Sequence, residues 1–274
     1  MRITDSRGTT AVIGAVLGVG ALITAFPFVW MVSGSVKPRS ESVGHPPRIL
    51  PREPTPQYFT QLFEEMDFGR YLVNTVAVVL ISMTGVVLMA MAGYGFAKFR
   101  FRGRGPLFFL VLATMMVPVQ VTMIPTYLLL DGVRLTDTLA GVALPGLVSG
   151  FSVFLFRQFI STVPTETIEA ARIDGAGEVR VFWHIVLPLC RPIMAVQIIL
   201  TFIGSWNSFL WPLIIATDQR YYTLSVGVSL LNRQIATNPS LQMAGATLMV
   251  VPVLIVFVVF QRSIVRGFTL SGLK

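Results

Sequence analysis

The chain has 274 residues, 54% of them hydrophobic and 12% charged, with a formal net charge of +8. A soluble domain carries about 25% charged residues, so this chain lacks the charge needed to wet a globular surface. One cysteine, Cys190, excludes an intrachain disulfide and a cysteine-based metal cluster.

Six stretches are free of charge: 8–36, 71–97, 105–130, 138–156, 192–217 and 234–261. A membrane-crossing helix needs roughly 20 mostly apolar residues. The alternating pattern of a membrane barrel is absent from runs such as "MVVPVLIVFVVF". The expected fold class is therefore an all-α integral membrane protein with six transmembrane helices. These are placed at about 10–36, 71–97, 106–130, 138–157, 192–217 and 241–261, in a single domain over 1–274. The first stretch is longer than the roughly 7–15 apolar residues of a cleaved signal, and reads as a retained anchor.

Between the first two spans, residues 37–70 hold six prolines, the last of which opens "PQYFTQLFEEM", where Tyr58, Phe59, Leu62 and Phe63 follow helical spacing. That segment is expected on the outer surface. The tight turn "KFRFRGR" after the second span is strongly basic. With both termini on its side, that side holds 13 basic residues against 5 acidic, and the other holds 8 of each. Cytoplasmic loops carry the excess of lysine and arginine, so both termini are expected in the cytoplasm of a multi-pass protein of the cytoplasmic (inner) membrane. The +8 charge then faces membrane lipids, and nucleic acid is not needed to explain it.

No span carries a charge near its middle, whereas ion-driven carriers and voltage sensors place titratable groups there. This disfavours a secondary carrier. The intramembrane polar groups are neutral: Asn74, Gln120, Gln197, Ser205, Asn207 and Ser208, with Trp206 and Trp211 nearby. Asn74, Gln120, Ser205, Trp206, Asn207 and Trp211 are the pore or substrate candidates, because amides and indoles suit hydroxyls and sugar ring faces. The pairs Gly14 with Gly18 and Gly146 with Gly150 suggest close helix packing. No phosphate-binding G-x-x-x-x-G-K-[ST] loop and no paired-histidine metal motif occur, so uphill transport would draw on a partner.

The segment "EAARIDGAGEVRVFWHIVLP" (169–188) is polar by comparison. Pro164 suits a helix start, Gly175 a helix stop, and a second helix is expected over 178–186, ended by Pro188. Val179, Phe182, Trp183 and Val186 share its apolar face. Glu169 and Asp174 point in different directions, and His184 has no nucleophile to orient, so a catalytic cluster is disfavoured. A helix–turn–helix with large aromatics at the cytosolic surface suits docking into a groove; an amphipathic linker lying on the membrane is the alternative.

Glu169-Ala170-Ala171, three residues, Gly175, nine residues, and Ile185-Val186-Leu187-Pro188 together resemble the signature of permease subunits of binding-protein-dependent ABC importers. "YLVNTVAV", "GYGFAKFRF", "VPVQVTMIP", "WNSFLWPL" and "FQRSIVRGFTLSGLK" are similar to its carbohydrate-uptake branch, akin to the six-span second permease of maltose-type systems. The resemblance implies a type I importer permease architecture whose cytoplasmic coupling region, 164–188, docks on an ATPase. Glu169, Ala170, Ala171, Asp174 and Gly175 would form and anchor its turn, and Val179, Phe182 and Trp183 would dock. It implies a second homologous permease, two copies of a cytoplasmic ABC ATPase carrying ATP and magnesium, and an extracytoplasmic solute-binding protein. Contacts to that protein are expected at Tyr58, Phe59, Tyr221, Tyr222 and Asn232. The chain itself binds no cofactor or metal and is no enzyme. The implied cargo is a sugar or sugar-like solute, with glycerol-3-phosphate or a glycerophosphodiester as the alternative.

Overall fold

The computed structural model describes the backbone of residues 7–234 and 238–271, and side chains over 8–231 and 238–261. All regular elements among the described residues are helical. The principal ones in chain order are α1 (Arg7–Ser35), α2 (Gln57–Glu65), α3 (Phe68–Lys98), α4 (Arg104–Thr114), α5 (Val119–Gly132), α6 (Leu139–Ala143), α7 (Gly150–Ser161), α8 (Thr165–Ile173) and α9 (Glu178–Leu189). They continue with α10 (Arg191–Trp206), α11 (Leu210–Ile215), α12 (Leu224–Gln234) and α13 (Pro239–Ser271).

Three stretches are each long and apolar enough to cross a membrane alone: Gly8–Ser35, Phe68–Lys98 and Pro239–Gln261. The count reaches six if α4 with α5, α6 with α7, and α9 with α10 each act as one bent span. The stretch expected as one helix over 106–130 instead bends by 102°. Pro118 stands at the break with extended backbone (ψ 132°); proline lacks the N–H a helix needs and pushes its predecessor out of the α region. Over 192–217, α10 stops at Trp206 and α11 resumes at Leu210.

The chain divides into two compact units, one running to Phe68 with Val228–Val250, the other spanning Gly69–Gly227 and continuing from Val251. In the first, α2 buries Tyr58 and Leu62, as its amphipathic spacing requires. Lys37, only 3% exposed, donates from Nζ to the Arg48 carbonyl at 2.6 Å and lies 4.5 Å from the Trp30 ring centroid. Apolar residues along α1, such as Val16, Leu17 and Leu22, are exposed on the isolated chain. Such a helix is stable only against lipid or another helix.

In the second unit the core joins the C-terminal half of α3 (Met89, Tyr94) to Phe156 and Ile160 of α7, Ile168 of α8, Phe182 and Val186 of α9, and Cys190. Close approach is enforced by glycine. A Cβ on Gly85 would meet the Leu147 carbonyl oxygen at 1.7 Å, and one on Gly93 would meet the Phe156 Cβ at 2.5 Å. The expected pairs behave differently: Gly150 packs tightly on Thr114 and Val111, whereas Gly14, Gly18 and Gly146 touch no neighbour within 4 Å.

Candidate functional site

α8 begins after Pro164 and ends in a tight reversal. The Ala176 N–H donates to the Ala171 carbonyl at 2.9 Å and the Gly175 N–H to the Arg172 carbonyl at 3.0 Å. This paired pattern closes a helix with a left-handed residue, and Gly175 holds φ +81°. A Cβ there would meet nothing within 4 Å, so the requirement for glycine is conformational and not one of space.

Beyond the turn the helix runs from Glu178 through Pro188 to Leu189, past the expected stop, with a π-type turn over Phe182–Val186. Its i→i+5 spacing brings Val186 beneath Val181. Val181, Phe182 and Val186 therefore face the core together. Phe182 is 4% exposed, its ring 5.9 Å from that of Tyr94, so its expected role as an outward docking residue is corrected: it packs inside the chain. The outward apolar residues are Ile173, Val179 and Trp183, at 85%, 73% and 47% exposure. Glu169, Ala170 and Asp174 are exposed beside them, and Ala171 packs partly on the core.

Two residues that sequence reasoning did not single out fasten this loop to α3. The Tyr94 hydroxyl donates to Glu178 Oε2 at 3.0 Å, and Arg172 Nε donates to Glu178 Oε1 at 2.7 Å. Arg172 holds the Glu178 carboxyl below its usual range, aided by the Tyr94 hydroxyl. Lys98 Nζ donates to the Val163 carbonyl at 2.5 Å and the Thr165 hydroxyl at 3.3 Å. Lysine on a terminal carbonyl also suits the negative end of the preceding helix. His184 is exposed, its Nδ1 3.2 Å from the Arg180 carbonyl oxygen.

A cavity of about 620 Å³ lies in the same unit, walled by α3, α5, α6, α7, α10 and α11. Its lining includes the hydroxyls of Ser82, Thr122, Thr126, Ser149, Ser205 and Ser208 together with the Trp211 indole, and no charged side chain. Trp211 is fixed by donating from Nε1 to the Gly141 carbonyl at 3.1 Å. Met89 belongs both to the cavity wall and to the apolar core, so the core borders the cavity there. Small hydroxyls with one rigid indole can orient a polyhydroxylated molecule without binding an ion.

Of the expected pore residues, Ser205 and Trp211 line this cavity and the other four do not. Asn74 is 7% exposed and donates to the carbonyls of Arg220 and Tyr222 at 2.8 and 2.9 Å. It is a clip that holds the segment 220–222 after α11, helped by the Leu224 N–H donating to the Thr75 hydroxyl at 2.8 Å. Trp206 is buried and stacked on Phe202 at 5.5 Å. Asn207 is exposed and donates to the Ile203 carbonyl at 3.0 Å, and Gln120 is exposed.

Asp137 forms a second clip, missed in the sequence. Its carboxylate accepts from the N–H of Asp218 at 2.8 Å and from the N–H and hydroxyl of Thr217, both at 2.6 Å. The Asp218 N–H and the Thr217 hydroxyl hold its carboxyl below the ordinary range. Among the outer candidates, Tyr58 is buried while Phe59, Tyr221 and Tyr222 are part-exposed. The side chain of Asn232 lies outside the described residues.

Residues 85–270 match the family described as binding-protein-dependent transport system inner membrane component. The chain belongs to this family. It is 36% identical to the arabinooligosaccharides transport system permease protein AraQ of Bacillus subtilis (strain 168), over 93% of this chain and 92% of that protein. It is 34% identical to the sn-glycerol-3-phosphate transport system permease protein UgpE of Yersinia pestis, over 97% and 98%. A bacterial ABC transporter involved in the import of the acidic polysaccharide alginate shares the fold, with a TM-score of 0.83 at 22% identity, covering 96% of this chain and 98% of that one.

Proposed function

We propose that this chain is the permease subunit of an ATP-driven importer that moves a neutral sugar or sugar-like solute across the cytoplasmic membrane. The observation that carries the solute class is the charge-free cavity, with its hydroxyls and Trp211. A phosphate-bearing cargo would call for a cationic side chain such as arginine in its path, and the lining holds none. The match to a glycerol-3-phosphate permease keeps that solute as the second reading.

Transport against a gradient needs a motor, and the sequence contains no phosphate-binding loop. The assembly would hold two copies of a cytoplasmic ABC ATPase with ATP and magnesium, one of which would dock on the knob of Ile173, Val179 and Trp183. Glu169, Ala170 and Asp174 would border that contact. A second homologous permease would complete the pore, and an extracytoplasmic binding protein would deliver solute to the outer surface near Phe59, Tyr221 and Tyr222. Both termini would lie in the cytoplasm, where the basic loops concentrate.

The test is uptake by proteoliposomes holding this chain with its neighbouring permease, ATPase and binding protein. ATP-dependent accumulation of arabinotriose or lactose is expected. Accumulation of sn-glycerol-3-phosphate alone would overturn the sugar reading.

A further inference from the structure

Gln197 sits in the middle of α10 with 0% exposure. Neither its Nε2 nor its Oε1 has a hydrogen-bond partner, and among the described residues these are the only buried side-chain polar atoms left so. A dry amide with every bond unmade is an unfavourable arrangement that natural cores avoid. It needs an explanation beyond packing, since leucine would fill a similar volume without that penalty.

Its position on the helix supplies one. Residues three, four, seven and eight further along, Leu200, Thr201, Gly204 and Ser205, all line the cavity. Helical spacing places Gln197 on that same face, one turn deeper. Residues four and three before it, Ile193 and Met194, pack on the apolar core that borders the cavity at Met89. Gln197 therefore stands where the hydroxyl wall ends and the apolar seal begins. A polar solute leaving the cavity through this end must part the seal at this level.

We propose that Gln197 is a latent inner contact for the solute: when the seal opens, its amide becomes wetted and hydrogen-bonds the solute's hydroxyls. The amide offers two donors and an acceptor, which matches the mixed donor–acceptor character of a sugar hydroxyl. In the sealed state the same amide is unsatisfied, so it biases the seal towards opening. This contact rests on the sugar-importer reading, but the opening of the seal does not.

The chain's single cysteine makes the test direct. In the complete reconstituted transporter, Cys190→Ser, or Cys190→Ala should the serine disturb the buried site, is combined with Gln197→Cys. Labelling by a small hydrophilic methanethiosulfonate is then timed without nucleotide, during ATP turnover and after vanadate trapping. Labelling at least about tenfold faster in one of these states than in the slowest is expected, slowed again by saturating arabinotriose or lactose, whichever the wild type takes up. A uniformly slow rate in every state overturns the proposal, and acceleration that sugar does not slow overturns the solute contact. Gln197→Leu, in the native-cysteine background, should keep or raise the melting temperature while lowering uptake. It should also shrink the preference for the sugar over its deoxy analogue, which a purely structural role would leave unchanged. Wild-type uptake of sn-glycerol-3-phosphate in place of sugar fails the solute reading separately, leaving the labelling to decide the opening.

Discussion

The loop from Thr165 to Leu189 and the cavity beside Trp211 lie in one unit but are held in different ways. The loop shapes itself mainly by neighbours in sequence: the closing bonds of α8 span three to five residues, and the Arg172–Glu178 pair spans six. The cavity draws its walls from segments between Val78 and Trp211, and depends on glycines that let backbones of distant segments touch. A device that must fit a partner can be written locally and presented outward. A chamber exists only when several segments arrive together, so its defining contacts are long-range.

This contrast predicts different consequences for similar substitutions. Gly85→Val should have the largest effect, because its Cβ would overlap the Leu147 carbonyl oxygen and the backbone cannot yield. Loss of monodisperse, folded protein in size-exclusion chromatography is expected. Gly175→Val adds its bulk to open space, so insertion and yield should hold. Placing a β-branched residue in left-handed backbone costs about 1–2 kcal/mol, and a misplaced turn should lower transport-coupled ATP hydrolysis by about tenfold. Gly175→Asn, which tolerates that conformation, should recover most of the coupling. Equal loss of yield in Gly85→Val and Gly175→Val would erase the distinction.

The second comparison divides two adjacent aromatics. Phe182→Ala empties a buried position and should cost about 3–5 kcal/mol of stability, seen as a lowered melting temperature. Trp183→Ala, with or without Val179→Ala, should leave the melting temperature near wild type but reduce co-purification of the ATPase. A reversal of the two phenotypes would place the docking face on the other side of the helix.

The smallest effect concerns Glu178. Its carboxyl is held below the unfolded value near 4.3, so its contribution is complete above that pH and is lost as pH falls through the depressed folded value. Both partners are part-exposed, and such pairs contribute at most about 1 kcal/mol. Glu178→Gln should therefore lower the melting temperature slightly at pH 7, and the gap to wild type should narrow as the pH falls below the unfolded value. A gap that widens on acidification would show that the Tyr94 and Arg172 contacts do not stabilise the loop.

The long apolar stretches, the glycine stop at Gly175 and the family signature were legible because each is a local pattern. Burial within α9 was not. Even spacing put Val179, Phe182 and Trp183 on one face, but Phe182 faces the core with Val181 and Val186, while Val179 and Trp183 stay outward. Asn74 read as a pore residue because it is polar inside an apolar span. Its partners, the carbonyls of Arg220 and Tyr222, lie 146 and 148 residues away, and no spacing rule reaches that far. Tyr94, Lys98 and Asp137 escaped notice for the same reason.

By itself, the sequence determined a helical membrane protein, the position of the turn at Gly175 and the neutrality of its spans, since hydropathy, charge and glycine conformation act within a few residues. Only the tertiary structure decided which polar side chains are clips, which line the chamber and which, like Gln197, are left dry. Those outcomes depend on what each side chain meets across the fold, and that is settled by packing between segments far apart in the chain.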